Sequence, residues 1–207
     1  MTNNQENIKD LINSKGIITF AEFMEIALYH PKFGYYNSFD NPKIGADGDF
    51  YTSSDVHPFI GKVLAREFKT MFEILGTNSF SIVEMGAGKG TMALDILNEI
   101  NRYDPDFYDI ISYIIIEKSC AFRSRQQELL KGYRQKVKWI DSLTELKDTG
   151  GFTGSLFSNE LVDAFPVNRV YQDGNELKEI YVSLNNNLLV EKTGKLSTGA
   201  LLNILKS

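Results

Sequence analysis

The chain has 207 residues, 43% hydrophobic and 24% charged, with a formal net charge of −5. That length allows one domain with a substantial core, or one domain plus a small appendage, and the acidic balance gives nucleic acid no electrostatic footprint. A single cysteine, Cys120, excludes an internal disulfide, and no apolar run reaches membrane-spanning length.

The N-terminal stretch "MTNNQENIKD" has neither the apolar centre of a secretory signal nor the Arg-rich character of a mitochondrial presequence. Together with the lone cysteine it sets the expected location as a bacterial cytoplasm. Ile8, Leu11 and Ile12 recur at helical spacing until Gly16. Thr19 with Glu22 is a capping-box signature, opening a helix through Phe20, Phe23, Met24 and Ala27 that stops before Pro31. His30 to Gly61 is a long aperiodic loop rich in glycine and aromatics, a kind that is often functional. A helix pattern resumes at Pro58 (Ile60, Val63, Leu64, Phe68, Met71, Phe72) and ends at Gly76.

Strands and helices then alternate. "FSIVEM" (80–85), "YIIIE" (113–117), "VKWID" (137–141) and "GSLFSNE" (154–160) read as strands, with helices at "TMALDILNEINR" and "RSRQQELLKGY" and a loop at "NRYDPDFYD". Such alternation predicts a parallel sheet with right-handed crossovers, hence a Rossmann-like α/β fold. Beyond Pro166 the texture becomes short antiparallel strands, with turns at Asp173-Gly174 and around Asn185–Asn187. The expected organisation is an N-terminal helical and loop extension over 1–76 and a Rossmann-like ligand-binding domain over 77–207.

The segment "EMGAGKGT" (84–91) joins the first of these strands to its helix. A phosphate-binding Walker loop fails here, because Val83 stands five positions before the Gly88-Lys89 pair and Gly90, not Ser or Thr, follows. The dinucleotide pattern GxGxxG has its first two glycines in Gly86 and Gly88 but Thr91 at the third. What fits is acid-x-Gly-x-Gly-x-Gly, from Glu84 through Gly86 and Gly88 to Gly90. Glu117 and Asp141 end the next two strands. Glu117 could accept two ribose hydroxyls, and lies further from Gly86 than the roughly 20 residues of a compact NAD unit. For either acid alone a solvated strand end is the ordinary reading. Three acids ending three successive strands favour a ligand.

This loop resembles motif I of class I S-adenosylmethionine-dependent methyltransferases. Three further segments, "HPKFGYY", "GDFYTSSDVHPFIG" (48–61) and "SNELVDAFPVNRV" (158–170), resemble the MidA-like family of that class, which includes an arginine methyltransferase of respiratory complex I assembly. The likeness runs from about Ile18 to Val170. It implies S-adenosyl-L-methionine as cofactor, with Glu84, Gly86, Gly88 and Gly90 around its methionyl part, Glu117 at the ribose and Asp141 at the adenine. Gly48, Asp49, Phe50 and Thr52 would cover it. Asn159, Glu160 and Asp163 would face the methyl acceptor, a protein arginine side chain, with Glu160 gripping the guanidinium and Asp163 helping.

Alternatives stand beside this. Ser158–Asp163 could simply begin a helix, with Ser158 or Asn159 as cap. His30 and His57, each next to proline, read as structural, and no metal site is expected. The possible partners are a protein substrate and a second copy of the chain, without nucleic acid or membrane insertion. Relatives of this type are longer, and only four parallel strands can be placed. Either the chain is a fragment, truncated at its C-terminus, or the tail after Val170 finishes the sheet unusually. A small-molecule methyltransferase, a non-catalytic partner-binding module and, more distantly, a nicotinamide oxidoreductase remain the competing functions.

Overall fold

The computed structural model describes residues 2–37, 58–148 and 150–206. Packing divides the chain into two compact units, one of 1–38 with 164–207 and one of 39–163. The sequence reading cuts once, between 76 and 77; packing cuts at 38/39 and again at 163/164, so the first unit is discontinuous along the chain.

The discontinuous unit opens with α1 (Thr2–Lys15), the short β1 (Ile18–Thr19) and α2 (Phe20–Tyr29). The capping box at the start of α2 is formed as expected: the Glu22 amide donates to Thr19 Oγ1 at 3.1 Å and the Thr19 amide donates to Glu22 Oε2 at 3.0 Å. Such a cap is worth about 1 kcal/mol. The helix ends at His30, directly before Pro31, and His30 stacks on Phe33 at 3.7 Å, in keeping with a structural histidine.

In the unit of 39–163, α3 (Phe59–Leu75) ends where Gly76 takes the left-handed conformation. Then follow β2 (Phe80–Met85), α4 (Thr91–Tyr103), α5 (Pro105–Ile110), β3 (Ile111–Ile116), α6 (Cys120–Leu129), β4 (Val137–Ile140), α7 (Leu143–Asp148) and β5 (Gly154–Phe157). The strands form a parallel sheet in the order β4-β3-β2-β5. The two-residue period sends Phe80 and Ile82 of β2 and Tyr113 and Ile115 of β3 to one face. There they pack with Phe68 of α3 and with Met92, Ala93, Ile96 and Leu97 of α4. Val83, Ile116, Ile140 and Leu146 form a second cluster. Each such fully buried aliphatic side chain stabilises the fold by about 1.5–3 kcal/mol.

Two local expectations are corrected. "NRYDPDFYD" is not all loop: Asp104 caps α5 through the Phe107 amide at 2.9 Å and Pro105 takes the first helical position. Six residues are too few for an apolar period to announce the helix. Ser158–Asp163 does not begin an α-helix either. β5 stops at Phe157, Glu160 has φ 48°, and only a single 3-10 turn follows over Val162–Ala164.

The chain returns to the first unit with β6 (Arg169–Asp173), β7 (Glu176–Asn185), β8 (Leu188–Gly194) and α8 (Gly199–Lys206). Both expected turns are present. Asn186 and Asn187 have φ 48° and 60°, the paired left-handed residues of a two-residue hairpin between Asn185 and Leu188. This tail does not extend the parallel sheet. Its strands form an antiparallel sheet in which β7 also pairs with β1, Ile18 opposite Val182. Tyr181 pairs with Thr19 on one edge and Lys192 on the other, while Ile180 pairs with Arg169 and Thr193, so β1 and β6 share one edge of β7 and β8 takes the other. Ile12, Ile18, Ile26 and Val182 are the core of this unit. Among the described residues no helix is long and apolar enough to cross a membrane.

Candidate cofactor site

The strand order places β3 and β4 on one side of β2 and β5 on the other, which makes the carboxyl ends of β2 and β5 the switch point where open α/β sheets take ligands. The glycine loop leaves β2 at that point. Gly86 has φ 73°, its amide donates to the Ile116 carbonyl at 3.0 Å, and a Cβ there would lie 2.6 Å from Leu161 Cδ1. Glycine is thus required both by the backbone angle and by close approach. Leu161 belongs to the segment after β5, so that segment approaches the glycine loop through this side chain. Asn159 is half-buried; Glu160 and Asp163 are exposed.

Glu84 points to the buried face of the sheet and is 3% exposed. Its Oε2 accepts from the Tyr113 hydroxyl at 2.7 Å. Burial pushes its carboxyl up to about 7; the Tyr113 hydrogen bond opposes this and the charge of Glu117 adds to it. The Tyr113 phenol is driven well above its ordinary value, first by its own burial and then by Glu84.

Glu117 sits just past β3. Oε1 accepts from the Ser119 amide at 2.8 Å and Oε2 from Gln126 Nε2 at 3.1 Å. Burial raises its carboxyl, and these donors, together with the Arg123 guanidinium, act against that. Arg123 donates to the Glu117 carbonyl at 2.9 Å and to the Asp141 carboxylate, tying the ends of β3 and β4 together. Asp141 is otherwise largely exposed.

Gln126, fully buried, donates also to the Gly88 carbonyl at 2.8 Å and accepts from Trp139 Nε1 at 3.0 Å. Sequence reasoning missed it, along with Tyr113 and Arg123. A signal existed: Phe122 and Gln126 stand at helical spacing on the inward stripe of α6, continued by its cap residue Leu130, where an amide is out of place unless bonded. Gly48, Asp49, Phe50, Thr52 and His57 lie outside the described residues. No cluster of three or more His, Cys, Asp or Glu side chains suited to a metal occurs among the described residues.

A cradle that a Cβ would fill at Gly86, followed by carboxylates at the ends of successive strands, fits a cofactor with an amino-acid end and a ribose, and needs no phosphate-binding lysine.

Comparison with known proteins agrees. Residues 63–207 match the model of a family described as "Putative S-adenosyl-L-methionine-dependent methyltransferase". The chain is similar to the mitochondrial protein arginine methyltransferase NDUFAF7 homolog of Caenorhabditis elegans, 29% identical over 199 residues, covering 84% of this chain and 45% of the relative. The corresponding mitochondrial protein of Homo sapiens is 39% identical over 193 residues, covering 84% and 43%. Among solved structures, a COG1565 superfamily member from Burkholderia thailandensis bound to S-adenosyl-homocysteine superposes with a TM-score of 0.82 at 26% identity, over 99% of this chain and 54% of that one. The chain therefore spans about half the length of the relatives it matches.

These names overturn the cytoplasmic expectation. The named relatives are mitochondrial proteins, and neither a lone cysteine nor a polar first stretch distinguishes compartments. The α/β fold, the cofactor S-adenosyl-L-methionine and the family resemblance stand as expected, and the chain belongs to this family of S-adenosyl-L-methionine-dependent methyltransferases.

Proposed function

We propose that this chain carries the cofactor-binding part of a methyltransferase whose acceptor is an arginine side chain of a protein. The observation that carries the reading is the contact of Leu161 with the Gly86 position, which joins the acidic segment Asn159–Asp163 to the glycine loop. The names of the relatives support the acceptor class. Glu160 adds to it: a non-glycine residue at φ 48° is held in a costly conformation, and such residues gather at functional sites.

S-adenosyl-L-methionine supplies, when bound, a methyl group already activated on a sulfonium. The protein's part is alignment and exclusion of water. The three glycines would give the methionyl end a backbone it can approach, and Glu84 would serve its amino group. Glu117 would accept from the ribose hydroxyls and Asp141 would serve the adenine side. A guanidinium stays protonated at neutral pH, so an acceptor site needs carboxylates that grip its fork and draw charge from the attacking nitrogen. Glu160 takes that role, with Asp163 assisting and Asn159 as a neutral partner.

The test is transfer of a labelled methyl group to arginine-containing proteins and to small amines, by wild type and Glu160→Gln, with S-adenosylhomocysteine binding measured beside it. The expected result is labelled arginine from wild type only, with cofactor affinity intact in the variant. Equal rates from Glu160→Gln would remove the proposed role, and label on small amines alone would reassign the acceptor.

A further inference from the structure

The geometry points to Gln126 as the positioning residue of the cofactor site: its amide, oriented by Trp139, holds the Glu117 carboxylate and the Gly88 carbonyl in register for one ligand. The inference rests on the reading of Glu117 as a cofactor contact.

The hydrogen-bond chemistry leaves Gln126 one orientation. An indole N–H can only donate, so the atom of Gln126 facing Trp139 at 3.0 Å must be the carbonyl oxygen. The amide nitrogen then has two hydrogens for two acceptors, Gly88 O at 2.8 Å and Glu117 Oε2 at 3.1 Å. Both amide hydrogens and the carbonyl oxygen have partners, which is what lets a fully buried amide sit on the apolar stripe of α6 without a large penalty. With Ser119 holding the other oxygen of Glu117, the plane of that carboxylate is set.

The stem of Gln126 does a second job. A Cβ at Gly90 would lie 3.2 Å from Gln126 Cγ, so the side chain also packs on the loop it bonds. One residue of α6 thus connects the loop after β2, the acid after β3 and the indole of β4. A mere core filler would need none of these partners to be a candidate ligand group.

The charged groups around Glu117 are Glu84 from β2, Arg123 of α6 and, through Arg123, Asp141 after β4, and the Lys118 backbone adds a further hydrogen bond. Gln126 adds a donor that favours the ionised form, the form able to accept ribose hydroxyls. Removing that donor moves the acid limb of cofactor affinity to higher pH, an effect that lost packing alone would not produce.

The experiment is calorimetric titration with S-adenosylhomocysteine from pH 5 to 8, on wild type, Gln126→Met, Trp139→Phe and Glu117→Ala. Emission of Trp139, the chain's only tryptophan, is recorded without ligand on wild type and Gln126→Met. Gln126→Met is expected to bind at least tenfold more weakly at pH 7, with its acid limb displaced to higher pH and its indole emission shifted. Trp139→Phe frees the amide to turn without emptying the site, and a loss of threefold or more is expected; it decides the matter if Gln126→Met does not fold. Binding within twofold of wild type by every folded variant of Gln126 and Trp139, while Glu117→Ala fails to bind, would overturn the positioning role and leave the site reading standing. Normal binding by Glu117→Ala would overturn the reading beneath it, and the inference with it.

Discussion

The Tyr113 hydroxyl donates to Glu84 across neighbouring strands at 2.7 Å, and it is the hydrogen bond that moderates a carboxyl buried under the glycine loop. Between the ordinary 4.5 and the raised value of about 7, the folded protein keeps a proton that the unfolded chain has lost. Stability from this group therefore falls as pH rises through that window, by on the order of 3 kcal/mol in all. Urea unfolding at pH 5 and pH 8 should show a smaller loss for Glu84→Gln than for wild type. Tyr113→Phe should extend the fall to higher pH.

Gly86 has both a left-handed backbone and a neighbour in the way of any side chain. Gly86→Ala is expected to destabilise the protein by about 1–3 kcal/mol and to weaken S-adenosylhomocysteine binding at least tenfold. Leu161→Ala in the same chain should recover part of the stability, because the clash is with the far end of a side chain while the backbone strain stays. Thermal melts of the two variants measure the split.

Arg123 bonds a backbone carbonyl and an exposed carboxylate, and the two contacts should differ in worth. Asp141→Asn removes an ion pair that solvent screens, for an expected cost of less than about 1 kcal/mol. Arg123→Met also strips the donor from the Glu117 carbonyl and should cost about 1–2 kcal/mol. A double-mutant cycle in urea, repeated at high salt, checks both values.

The β7–β8 turn offers a test in the other unit. Asn187→Ala forces a β-carbon-bearing residue with no side-chain amide into φ 60° and should cost about 1 kcal/mol. Asn187→Gly should be neutral or stabilising by a few tenths of a kcal/mol. Denaturant midpoints at an unchanged slope would establish this.

Much of this architecture could be read from the residues because its signals are local and repeated. The Thr19–Glu22 cap, the stop at Gly76, the apolar period of α4 and the glycine spacing of 86, 88 and 90 each depend on a few neighbouring positions. The acids Glu84, Glu117 and Asp141 are legible as candidates because each stands at or beside the end of a readable strand. Gln126 escaped because its partners, Gly88, Glu117 and Trp139, lie on three other elements. α5 and α7 are too short to display a helical period. The fate of the tail was also hidden: hairpins announce pairing with themselves, but nothing in β7 names β1 as its other neighbour.

The Ile18–Val182 pairing has a temporal meaning. A ribosome that has released α1, β1 and α2 has made a hydrophobic stripe whose partner strand is more than a hundred residues away. Among the described residues the strands of the unit of 39–163 pair only with one another, so it can condense first, shortening the loop that the pairing must close. The helices α1 and α2 would then be made before that unit yet find their place after it, and until β7 emerges their apolar stripe is open to a chaperone.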